Sequence, residues 1–125
     1  MMHTTPKRVK AEKTLVQTTS WVFHDEVPQQ NMGGGLMRRI LAYGDALMCV
    51  ENAFDTGADG TIHSHPHDQI TYIASGIFDF HIDGETRRVH VGDTMFIPGG
   101  TLHGCSCLEG GAILDIYSPM RKDFV

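Results

Sequence analysis

The chain has 125 residues, which fits one domain of ordinary size. Its net charge of −5 would repel a phosphate backbone, so nucleic acid is excluded as a partner class. No run of ~18 apolar residues occurs, so no membrane partner is expected. Three cysteines and no signal-like N-terminus point to a reducing cytoplasm.

Residues 1–34 read as an N-terminal extension, polar and basic at Lys7, Arg8, Lys10 and Lys13. Gly33-Gly34-Gly35 reads as a tight turn before the first strand of a domain over 35–125. Strand-like runs then follow one another at 36–42, 46–54, 61–65, 69–75, 77–82, 85–91, 94–97, 102–108 and 112–117. Gly-, Pro- and Asp-containing turns separate them. Asp83-Gly84 between two such runs is a hairpin signal, because both turn residues need positive φ. Short strands at this spacing predict an all-β sandwich or closed barrel, with 118–125 leaving it as a tail. Met95, Phe96, Phe78 and Phe80 read as core. Arg38 and Arg39 alternate to opposite faces, and Arg38 is the one expected to point inward.

Histidine is the informative excess: there are eight, and five of them lie from His63 to His90. The pattern Gly57-x5-His63-x-His65-x3-Gln69-x6-Gly76 resembles the first cupin motif, and Gly92-x5-Pro98-x-Gly100-x2-His103 resembles the second. The resemblance implies a cupin double-stranded β-helix, a jelly-roll barrel. On a strand, residues two apart share a face, so His63 and His65 both point to the lumen. Gln69 opens the next strand, and His103 comes from a distant one. Three imidazoles and one amide oxygen make a divalent-metal site with positions left open, and nickel, zinc, manganese or iron(II) would satisfy it. Most cupins carry glutamate where this chain has Gln69. A neutral ligand leaves the metal its full charge, which favours Lewis-acid chemistry on an anionic substrate over iron–oxygen redox chemistry.

The remaining histidines and the thiols read more plainly. His67, in the turn of His63-Ser64-His65-Pro66-His67-Asp68, has odd spacing from Gln69 and reads as a solvated loop residue, with lining of the site's mouth the lesser alternative. His81 and His90 read as surface residues, and Cys105 and Cys107 as buried thiols on one strand face.

The closing strand carries a different signal. Asp115 sits inside Ala112-Ile113-Leu114-Asp115-Ile116-Tyr117, where a carboxylate is costly unless paired or used. Period two places Asp115 and Tyr117 on one face, into the lumen if Leu114 and Ile116 face the other way; a solvent-facing edge position is the alternative. Arg121 follows Pro119 and either caps the mouth, its fork suited to a carboxylate, or is a surface arginine.

A narrower likeness covers nearly the whole of 35–125. The runs HSHPHDQITYIASG, IFDFHIDG and HGCSCLEGGAILDIYSPMRKDFV resemble the KdgF-type pectin-degradation cupins. That resemblance implies conversion of cyclic 4,5-unsaturated uronate monomers, released by pectin or alginate lysis, to a linear keto form. It implies a metal on His63, His65, Gln69 and His103, and Asp115, Tyr117 and Arg121 as catalytic residues serving a small anionic sugar. Tyr117 stands where the family often has phenylalanine. A homodimer is the expected assembly. Two other classes share part of this pattern: another metal-dependent cupin enzyme, such as a dioxygenase or sugar isomerase, and a non-catalytic sugar-binding cupin. Gln69 argues against the first. Asp115, which a binding module would not need, argues against the second.

Overall fold

The computed structural model describes residues 20–125; residues 1–19, with the basic part of the expected extension, lie outside the described residues. Ten strands are described: β1 (Gln30–Gly33), β2 (Leu36–Tyr43), β3 (Met48–Phe54), β4 (Asp59–His63), β5 (Asp68–Ile73), β6 (Ile77–Ile82), β7 (Glu85–Val89), β8 (Thr94–Ile97), β9 (His103–Glu109) and β10 (Gly111–Ser118). They form a six-stranded sheet in the order β1-β2-β3-β10-β5-β8 and a four-stranded sheet in the order β4-β9-β6-β7. All pairings are antiparallel. This is the all-β sandwich expected from the strand spacing, in the jelly-roll form that the cupin resemblance implies.

Alternation sets the two faces of each strand. On β3, Met48, Val50, Asn52 and Phe54 are buried; on β5, Gln69, Thr71 and Ile73; on β10, Ile113, Asp115 and Tyr117. One end of the space between the sheets is apolar, packed by Phe54, Ile73, Phe78, Phe80, Ile97 and Ile113 with the thiols of Cys105 and Cys107. The rings of Phe54 and Phe78 meet edge to face at 5.4 Å. Asp83 and Gly84 have φ of 49° and 83°, as the hairpin signal requires.

Four details depart from the sequence reading. The sheet begins inside the segment expected to precede it: β1 pairs with β2 across Gly33-Gly34-Gly35, whose φ values are 85°, 62° and 85°. Strand β4 ends at His63, before the turn through Pro66, so His65 is not on a strand although it still turns inward at 8% exposure. Phe96 is 60% exposed, not core. Met95 and Ile97 take the inward positions of β8, and parity forces the residue between them outward. The tail after β10 does not leave the barrel. It folds back across one end, burying Met120 and Arg121, and closes in a 3-10 turn at Lys122–Phe124.

Candidate metal centre and pocket

The folded-back tail and inward residues of β2, β3, β4, β5, β6, β9 and β10 line an open pocket of about 230 Å³, with Phe54, Phe80, Cys105 and Ile113 among its apolar lining. That is below the ~300–1,000 Å³ of drug-sized ligand sites and matches one sugar ring better than an oligomer. Its wall includes Arg38, His63, Gln69, His103, Asp115 and Arg121.

Antiparallel pairing of β4 with β9 sets His63 directly opposite His103, with ring centroids 4.5 Å apart. His65 arrives from the β4–β5 turn, 4.9 Å from His103 and 5.5 Å from His63. One nitrogen from each of the three lies within 4.8 Å of the others. Local hydrogen bonds choose which nitrogen is presented. His63 Nδ1 donates to the Thr61 carbonyl at 2.7 Å, and His103 Nδ1 to the Thr101 carbonyl at 2.8 Å. Each therefore leaves Nε2 as a bare lone pair, the usual arrangement behind a metal-binding imidazole. His103 Nε2 is buried with no hydrogen-bond partner. Burial pushes the His65 imidazole down to about 4 and lowers that of His103, so both are neutral and open to a cation near pH 7.

Gln69, near the start of β5, sets its Oε1 2.9 Å from His65 Nε2. The two atoms are close enough together for one divalent cation to be held by both. The donor set, the orphaned nitrogen and this spacing all fit a divalent cation.

Asp115 lies beneath the ligands, 3% exposed. Asn52 Nδ2 donates to its Oδ2 at 2.7 Å; Gln69 Nε2 and Thr71 Oγ1 donate to its Oδ1 at 2.9 and 2.6 Å. Burial pushes its carboxyl above the usual range, opposed by these three donors. Tyr117 lies two positions along β10 on the same face, edge-on to His65 at 5.5 Å, and burial raises its phenol. Arg121 lays its guanidinium over the rings of Tyr117 and Phe124 at 5.1 and 4.3 Å. Its Nε and Nη2 form a fork on Asp123, at 3.0 and 2.8 Å.

The expected site residues are thus gathered at one mouth. Arg38 points inward as expected, donating to Asn52 Oδ1 at 2.9 Å and stacking on Phe124 at 4.3 Å, while Arg39 turns out to Glu51. His67 differs from its reading. Its ring packs 5.4 Å from His65 and 6.4 Å from Tyr117, and burial lowers its pKa. The tail folding over the β4–β5 turn, which spacing does not reveal, puts it there. Sequence reasoning missed Asn52, Thr71 and Phe124. Parity on β3 and β5 could have found the first two, as polar residues on otherwise buried faces.

Two facing antiparallel sheets with histidines at one mouth define a cupin, and residues 51–117 match the cupin domain family. The chain is 43% identical to the pectin degradation protein KdgF of Dickeya dadantii (strain 3937) over 103 residues, covering 81% of this chain and 94% of the relative. The solved structure of KdgF from Halomonas sp. is 39% identical with a TM-score of 0.83, covering 86% of this chain and all of that one (100%). An RmlC-like cupin from Shewanella frigidimarina NCIMB 400 is 37% identical with a TM-score of 0.84, covering 86% of this chain and 97% of that one. The chain belongs to the KdgF family of cupins.

Proposed function

We propose that this chain is an enzyme that opens and ketonises 4,5-unsaturated uronate monomers derived from pectin or alginate. The observation that carries the reading is Asp115: a buried carboxyl in a pocket walled by two guanidinium groups and by His63 and His103, the two imidazoles on which His65 converges. Opening the ring of such a sugar leaves an enol, and the keto form needs a proton delivered to carbon as one leaves oxygen. Asp115 is the titratable group set to carry that proton. A divalent metal on His63, His65, Gln69 and His103 would supply Lewis-acid stabilisation of charge developing on the enol oxygen. Arg121 and Tyr117 orient the sugar, the guanidinium exchanging its Asp123 partner for the uronate carboxylate.

Turnover of lyase-made unsaturated galacturonate tests this. Asp115→Asn should lower kcat by ~10²–10⁴. Near-normal kcat with a lowered melting temperature would overturn the assignment. A sugar-binding module would bind the monomer without converting it, and a dioxygenase would consume oxygen.

The same reading includes a homodimer in the cytoplasm. The outer face of the four-stranded sheet carries Asp79, His81, Arg88 and Ser106. The outer face of the six-stranded sheet instead exposes Ile70, Tyr72 and Phe96 as cross-strand neighbours. A water-facing antiparallel sheet is normally polar, and a second copy would cover this patch. Phe96→Glu should shift sedimentation from dimer to monomer. Three thiols without a disulfide suit a reducing compartment.

A further inference from the structure

The Gln69 amide has two orientations of nearly equal shape and opposite chemistry. In one, Oε1 faces the histidines and can bind a cation. In the other, the NH₂ group faces them and cannot. The neighbours beneath it distinguish the two. Nε2 donates to Asp115 Oδ1 and to Thr71 Oγ1, both at 2.9 Å. The Thr71 hydroxyl, accepting from Gln69, spends its single proton on Asp115 Oδ1 at 2.6 Å. The other carboxylate oxygen takes Asn52 Nδ2 at 2.7 Å, and Asn52 is itself aimed by Arg38 Nε on its Oδ1 at 2.9 Å. Asp115 Oδ1 and Thr71 Oγ1 both accept from the Gln69 NH₂ group, and reversing the amide would set its oxygen against the oxygens of Asp115 and Thr71.

We infer that Asp115, held by Thr71 and Asn52, is a positioning residue for the metal centre: it locks Gln69 with Oε1 toward the histidines and makes glutamine rather than glutamate the fitting ligand there. The inference rests on the metal-site reading above and adds a role for Asp115 separate from proton transfer. A glutamate at position 69 would place a carboxylate oxygen where Nε2 now donates, about a hydrogen-bond length from Asp115 Oδ1. The one Thr71 proton cannot serve both anions. Exchanging the two groups repairs this. In the double variant Gln69→Glu/Asp115→Asn, the amide now at position 115 donates to the inner oxygen of the carboxylate now at position 69. The oxygen of that amide still accepts from Asn52. Thr71 accepts from the amide and donates to the carboxylate. The network closes with the bonds between positions 69, 71 and 115 reversed and the same total charge as in the native chain.

The test is cobalt(II) affinity by calorimetry, with the d–d absorption spectrum reporting the ligand set, on the full chain prepared metal-free. Asp115→Ala, which removes the acceptor, should weaken cobalt(II) binding by about 10–100-fold, the usual effect of losing a group that orients a ligand. Gln69→Glu should bind at least about tenfold more weakly than Gln69→Glu/Asp115→Asn, and its metal-free form should melt at a lower temperature. Net charge alone orders this pair the other way, because Gln69→Glu carries the extra negative charge. Recovery of a soluble double variant where Gln69→Glu does not fold would be the same rescue. Gln69→Glu binding as tightly as the double variant, or Asp115→Ala within twofold of wild type, would overturn the inference alone. Wild-type protein that takes up no cobalt(II) would remove the metal-site reading along with it.

Discussion

The strands that build the pocket also build the apolar end of the barrel, and their inward residues change character along their length. On β9 the series runs His103, Cys105, Cys107; on β5 it runs Gln69, Thr71, Ile73; on β10, read backwards, Tyr117, Asp115, Ile113. Inward neighbours on one strand are only ~6.8 Å apart. Chemistry and stability are thus separated by one or two inward positions rather than by domains. The apolar end excludes polar groups. At the pocket end, Asn52, Thr71 and Asp115 are 4%, 0% and 3% exposed and offset their burial by bonding one another. The bare nitrogens of the mouth remain uncompensated for a ligand to use. A change at the first end should unfold the chain, and a change at the second should disarm it.

The largest expected effect tests the apolar end. Phe78 is fully buried at 0% exposure, and Phe78→Ala should cost about 3–5 kcal/mol in urea unfolding. Molecules that remain folded should still take up cobalt(II) one to one; loss of uptake without loss of stability would break the division between the two ends. His103→Ala is the converse. The metal-free protein should melt within a few degrees of wild type, since the substitution removes a buried nitrogen that has no partner. The rise in melting temperature on adding cobalt(II) should disappear. A smaller effect is expected at the rim. Arg121→Lys keeps the charge and loses the fork, so KM should rise by roughly tenfold, as for a charge-assisted hydrogen bond of ~1.5–3 kcal/mol, with kcat less affected. An unchanged KM would place Arg121 outside the substrate's reach.

A further effect is a pH dependence of the metal-free protein. Burial holds His65 at about 4 in the fold, below its ordinary 6.5. Between those values the unfolded chain binds the proton more readily, so stability present above pH 6.5 is lost as pH falls toward 4. Melting temperature should decline across that window in wild type and less steeply in His65→Gln. Equal slopes would mean that the mouth carries no such cost.

The succession of strands from residue 36 onward and the residues they turn to the mouth are legible in local pattern. Turn residues punctuate each run, and period two assigns each residue a face, so Asp115 and Tyr117 share a face in the sequence as they do in space. The sequence misleads where parity is not carried through or where no strand exists. Grouping Phe96 with Met95 as core ignores that neighbours on one strand cannot both face inward. His65 lies beyond the strand that ends at His63, and it reaches the pocket because the turn through Pro66 bends inward.

What the sequence by itself determined is the set of chemical groups and their spacing: two histidines two apart, a glutamine four residues on, a third histidine on a far strand, and a carboxyl within an apolar closing strand. These follow from backbone periodicity, which acts over a few residues and needs no knowledge of partners. Only the tertiary structure decided which nitrogen each histidine presents, which way the Gln69 amide turns, and that the tail returns to lay Arg121 and Phe124 over the mouth. Those outcomes depend on groups far apart in the chain, Asn52 with Asp115 and Thr71 with Asp115. Hydrogen-bond direction is set by whichever donors and acceptors the fold makes neighbours, and no local repeat encodes it.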